Sequence, residues 1–160
     1  MRNYAAWCDA VIFYVYNDIM KYHFGQFTPD HLALLEEGIE LFNKRHYWMC
    51  HEVVEDLWMD HIGDNARYVY WVIIQVATAL YHYEDGNLNG AKGMNNKAKR
   101  KIEFIEKNHV ESDIMELYLD WSKLKAMVKS IPHDPDIEVF EKLYHFKFKD
   151  PKTWKITKRD

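Results

Sequence analysis

Apolar residues recur at three- and four-residue intervals through most of the chain, the spacing of one face of an α-helix. No Val/Ile-rich alternating stretch competes with that period before residue 146. It predicts a first helix over 3–22, with Ala5, Cys8, Val11, Ile12, Val15 and Ile19 on one side. Thr28-Pro29-Asp30 starts a second: Thr28 caps, Pro29 takes the first helical position, and Asp30 meets the positive end. That helix is expected to reach about residue 43, with Leu32, Leu35, Ile39 and Phe42 inward. A third covers 47–61, before the turn Gly63-Asp64-Asn65. A fourth, strongly apolar, covers 67–84 and ends at Asp85-Gly86-Asn87. A fifth covers 88–107, with Ala91, Met94, Ala98, Ile102 and Ile105 inward. Gly90, Gly93, Asn95 and Asn96 weaken its first half. A sixth is expected over 112–129, with Ile114, Leu117, Trp121, Leu124 and Val128 as one stripe, stopped by Pro132. Asp134-Pro135 repeats the start signal for a short seventh helix to about residue 145. The tail alternates Phe146-Lys147-Phe148-Lys149, which suits an extended surface segment.

The expected fold is therefore all-α, a multihelical bundle of antiparallel hairpins. Gly38 ahead of Leu41-Phe42, then Cys50, is echoed by Ala77 ahead of Leu80-Tyr81, then Ala91. This makes the bundle weakly tetratricopeptide-like, although two units are too few for a solenoid. One domain is expected over 1–160: an N-terminal helix in 1–24, a helical-hairpin core in 28–130, and a short helix with an extended basic tail in 134–160.

Composition excludes several classes. At 48% hydrophobic and 16% aromatic, the chain has ample material for a core and is not disordered as a whole. Two cysteines make neither a disulfide scaffold nor a four-thiolate zinc site. The longest apolar run, residues 68–80, falls short of the ~20 residues that cross a bilayer. Residues 11–16 lack the basic flank and cleavage site of a signal peptide. The expected location is cytoplasmic, with no membrane partner. The net charge of −4 hides an asymmetry: residues 1–91 carry 5 basic and 13 acidic side chains, residues 92–160 carry 16 and 12. Opposed halves favour packing or a homodimer over a polyanion, so nucleic acid is the least expected partner.

The residues with most chemical potential lie in 46–58. His51 and Glu55 are four apart and share a helical face, whereas Glu52 points about 100° away. An antiparallel hairpin about Gly63 sets Gln75 opposite His51 and Trp71 opposite Glu55. His82 is then roughly 10 Å along from Gln75, too far to share ligands with His51. The segment is not the H-E-x-x-H metalloprotease pattern, and no third ligand follows it. The first expectation is an interhelical polar cluster of His51, Glu55 and Gln75. A ligand pocket or a divalent metal held by His51 and Glu55 comes after it. Arg67 is expected to pair with Glu52, Glu55 or Asp56. Trp58, Trp71 and Tyr81 are expected as core, and the basic run at 97–101 as a solvated face.

Several motifs together resemble the DUF309 family. They are Gly38-Ile39-Glu40-Leu41-Phe42-Asn43, Tyr47, His51-Glu52 with Glu55 and Trp58, Arg67, Ile74-Gln75 with Ala77, Ala79 and Tyr81-His82, and Gly86-Asn87 with Gly90-Ala91. The resemblance covers about residues 33–106. It implies a multihelical fold of antiparallel hairpins, and it points to His51, Glu52, Glu55, Arg67, Gln75 and Tyr81. It carries no activity. The chain departs from the pattern at Trp71-Val72, where large side chains would fill a groove, and at Cys50, where a small residue is usual. The leading expectation is a binding or interaction module, self-associating or bound to a protein partner. The alternative is a metal-assisted or acid–base hydrolase with His51 and Glu55 as ligands or bases and Glu52 beside them.

Overall fold

The computed structural model describes residues 25–156. Within them are eight α-helices, two short 3₁₀ turns and no strand, the all-α bundle expected from the period. The N-terminal helix expected over 3–22 lies outside the described residues. Among the described residues, no helix is long and apolar enough to cross a membrane.

Helices α1 (Pro29–Leu34) and α2 (Glu36–Asn43) are the second predicted helix with a break at Leu35. Thr28 caps α1 as expected, and the third residue of the helix, His31, returns the bond to form a capping box. Leu32, Leu35, Ile39 and Phe42 are all buried. Helix α3 (Tyr47–Asp60) leads through Gly63, at φ +93°, into α4 (Arg67–Glu84). Only glycine holds that left-handed backbone cheaply. Helix α4 is the bundle's centre, with Val69, Tyr70, Val72, Ile73, Val76, Ala77, Ala79 and Leu80 at 0% exposure. Asn87 caps α5 (Leu88–Lys107) by accepting from the Gly90 amide at 2.9 Å.

Two glycines set how closely these helices approach. A Cβ on Gly38 would collide with Cγ2 of Val54, so α2 and α3 are in backbone-level contact. A Cβ on Gly90 would come within 2.5 Å of the His82 ring, which fixes the start of α5 against the end of α4.

The sixth predicted helix is two. Asp120 adopts φ +47° and separates α6 (Asp113–Leu119) from α7 (Trp121–Ser130). Its carboxylate is held by Lys149 at 3.0 Å, and the Glu116 carboxylate accepts from the Ser122 amide at 2.9 Å. The break rotates α6 out of the predicted stripe. Leu117 is 58% exposed, and Met115 and Leu119 face the core instead. The next start also moves: Asp136, not Asp134, precedes the turn Ile137–Phe140 that leads into α8 (Glu141–Tyr144). Asp134 instead takes the Lys92 ammonium at 2.6 Å.

The tail follows its alternation. Phe146 and Phe148 are buried against Phe42, and Lys147 and Lys149 point out. Asn43 clamps the backbone of Phe148 from both sides, donating to its carbonyl at 3.0 Å and accepting from its amide at 2.9 Å. These aromatics pack within one copy, so they give no reason to expect a second.

Candidate ligand-binding cleft

Helices α3, α4 and α5 run alternately up and down, and a cleft of about 390 Å³ opens between them. Helix α4 supplies the floor through Trp71, Ile74, Gln75 and Thr78, one stripe at helical spacing. His51 and Glu55 of α3 form one wall. Met94, Lys97, Arg100 and Lys101 of α5 form the other. Facing contacts fix the register of α4 on α5: His82 on Gly90, Trp71 on Lys101, and Tyr68 stacked on Phe104 at 3.7 Å. In that register Gln75 faces Lys97. His51 and Glu55, Gln75 and Trp71, and Lys97 and Lys101 are each four residues apart, so each side of the cleft offers two positions about 6 Å apart.

Of the seven candidate residues, the structure brings together His51, Glu55 and Gln75. No hydrogen bond joins them. Gln75 is 5% exposed, yet its Oε1 has no partner among the described residues, and neither has Nδ1 of His51. The His51 ring is held by stacking on Trp48 at 4.9 Å, not by a carboxylate. Thr78, the hydroxyl on the floor, donates to its own helix at the Ile74 carbonyl, 2.8 Å away. The other four candidates lie outside. Glu52 is exposed and accepts from the Trp48 indole at 3.1 Å. Tyr81 sits at the surface against Trp48. His82 packs on Gly90 and lies 3.3 Å from the Asn87 amide.

Arg67 makes no ion pair with Glu52, Glu55 or Asp56. Its guanidinium lies 4.3 Å from the centroid of the Trp58 ring, with a buried, unpartnered Nε. In place of the expected carboxylate, the guanidinium takes the face of the Trp58 indole as its partner. Trp58 and Trp71 are not plain core either. They pack together at 4.9 Å, half-buried, and carry Arg67 on one side and Lys101 on the other.

The basic run at 97–101 is solvated as expected at Lys97 and Arg100, which are exposed, while Lys99 and Lys101 are partly buried. Helical spacing was the available signal for the basic wall, since Lys97 and Lys101 continue the stripe of Met94. Lys99 turns away and donates to the Ile131 carbonyl. Neither Lys97 nor Arg100 has an ion-pair partner among the described residues. Lys101 is held below the ordinary lysine range by burial and by the neighbouring Arg100 charge.

The cleft offers two ligating side chains, His51 and Glu55, and faces them with three cations. No three His, Cys, Asp or Glu side chains converge on a point elsewhere among the described residues. Cys50 is fully buried behind the cleft, where burial pushes its thiol up to about 12. That makes it a packing residue at neutral pH.

The structure is an all-helical bundle with a half-basic cleft between α3, α4 and α5. Residues 35–94 match the family DUF309, a domain of unknown function. The likeness read from the motifs thus holds, over a shorter stretch than 33–106. A curated relative, the uncharacterized protein YpuF of Bacillus subtilis (strain 168), is 31% identical over 100 residues, 62% of this chain and 54% of the relative. The chain spans about half the length of that relative. No solved structure matches the chain. The matched family stretch contains His51, Glu55 and Gln75 and stops at Met94, before the basic wall.

Proposed function

We propose that the protein is a binding module that takes a small anion into the cleft between α3, α4 and α5. One observation carries this: the α5 wall of the cleft holds three cations, Lys97, Arg100 and Lys101, and a single carboxylate, Glu55, stands opposite. On the floor, the buried Gln75 Oε1 has no partner among the described residues; leaving it unbonded costs about 1–3 kcal/mol, which an anion that also carries a hydrogen-bond donor recovers. The cations repel one another until an anion joins them. A volume of about 390 Å³ suits a molecule of metabolite size. An acid–base hydrolase would ask more of the wall on α3. His51 has no carboxylate to orient it, and the hydroxyl of Thr78 is bonded to its own helix.

The test is calorimetry and thermal unfolding with inorganic phosphate, sulfate, acetate and citrate at low salt. The parent is expected to bind at least one of them. A Lys97→Ala/Arg100→Ala variant, altered only at exposed positions, is expected to fold normally and lose at least tenfold in affinity. A parent that binds none of them contradicts the reading.

A further inference from the structure

The charges and hydrogen-bonding atoms of the cleft narrow the ligand further. Resting on the anion-binding reading, we propose that it is a phosphate monoester, its phosphate held by Lys97, Arg100 and Lys101 and its organic part donating a hydrogen bond toward Gln75 and Glu55.

The charge balance selects the anion. Three cations on α5 face one carboxylate, Glu55, an excess of two positive side chains over negative ones. A carboxylate or a sulfate ester brings one negative charge and leaves one cation uncompensated. A phosphate monoester brings about −1.5 to −2 at neutral pH and balances the site. Geometry agrees. Arg100 offers a planar fork that bonds two phosphate oxygens at once, and Lys97 and Lys101 flank it as point charges one turn apart. Lys101 is already fixed in place, its ammonium 3.6 Å from the centroid of the Trp71 ring. Little side-chain entropy remains to be lost there on binding.

The opposite wall selects the organic part. An anion on the α5 side cannot satisfy Gln75 Oε1, which accepts only. Glu55 also only accepts, and it would repel a second anionic group. A hydroxyl or amine on the ligand meets both, across the cleft from the phosphate. Ile74 and Met94 supply the apolar contact between. A nucleic-acid backbone fits less well: each phosphodiester carries a single charge, and it needs an open track along the surface.

The probes are ethyl sulfate, ethyl phosphate and 2-aminoethyl phosphate, titrated calorimetrically at pH 7.5. Ethyl phosphate is expected to bind at least tenfold more tightly than ethyl sulfate, which has the same body and one charge less. Arg100→Gln, at an exposed position, should erase that preference. The amino group should add a further gain, and Glu55→Gln should remove it. Equal affinity for sulfate and phosphate esters would overturn the phosphate assignment while leaving an anion cleft. No gain from the amino group would overturn the donor assignment. Displacement of ethyl phosphate by a single-stranded oligonucleotide would move the ligand to the phosphodiester class. Binding of none of the probes, together with none of the simple anions, would remove the cleft reading itself.

Discussion

The Lys101 ammonium lies 3.6 Å from the centroid of the Trp71 ring, and the same ring packs on Trp58, which carries Arg67 on its other side. Two cations from different helices are thus held through one pair of indoles. Lys101→Met keeps the aliphatic stem and removes the charge. It should cost about 0.5–2 kcal/mol of stability, the range of a cation–π contact. It should also weaken anion binding in the cleft. Urea unfolding followed by tryptophan emission measures the first effect and calorimetry the second. Unchanged affinity would take Lys101 out of the site.

Gly90 and Gly93 lie one turn apart on α5 and should respond oppositely to alanine. Nothing lies within 4 Å of a Cβ on Gly93, so Gly93→Ala should stabilise by about 0.5–1 kcal/mol. A Cβ on Gly90 meets the His82 ring at 2.5 Å, so Gly90→Ala should destabilise by about 1–3 kcal/mol. In a His82→Ala background the sign at Gly90 should reverse. Chemical denaturation of the four variants and the parent measures all of this.

Asn43 is the one side chain that bonds both the amide and the carbonyl of Phe148. Asn43→Ala should therefore release the tail before it unfolds the bundle. The expected loss is about 1–3 kcal/mol, with the Phe148 amide losing protection from hydrogen exchange. Protection that survives the substitution would mean that burial of Phe146 and Phe148 holds the tail alone.

The acid sensitivity of the α5–α7 contact has a definite sign. Hydrogen bonds from Lys129 and then Lys125 hold the Glu106 carboxyl below its ordinary range, against the opposing effect of burial. A depressed folded value means the contribution is present above the unfolded pKa and is lost as pH falls through the folded one. The pair is half-exposed, so the amount is about 0.5 kcal/mol. Glu106→Gln should be less stable than the parent at pH 7 and indistinguishable from it well below pH 4. Thermal unfolding across that range is the check.

Most of the helices were legible because burial imposes the period and Pro, Gly, Asn and Thr mark the ends. Arg67–Glu84 and Leu88–Lys107 fall where the sequence puts them. The break at Asp120 was not legible: no Pro or Gly marks it, and one of its contacts, Lys149, arrives from far along the chain. The start at Asp136 was missed for a similar reason, since Lys92 draws Asp134 away. In the cleft, helical spacing was enough to put His51, Glu55 and Gln75 on the lining of one cavity. It did not reveal the third side, because α5 was read alone; Lys97 and Arg100 are solvated, as expected, and also line the cleft. Arg67 was assigned to a carboxylate on charge alone, and the aromatic alternative, Trp58, was the nearer partner.

The central claim is that the unpartnered Gln75 amide and the basic wall of α5 form one anion site. It is tested most directly by following the Gln75 side-chain amide by NMR as inorganic phosphate is added. The account predicts that the Gln75 resonances shift and saturate together with those of the His51 ring, and that Arg100→Gln abolishes the shift in a folded protein. Gln75 resonances that stay fixed while phosphate saturates another part of the molecule, or fails to bind at all, would contradict it.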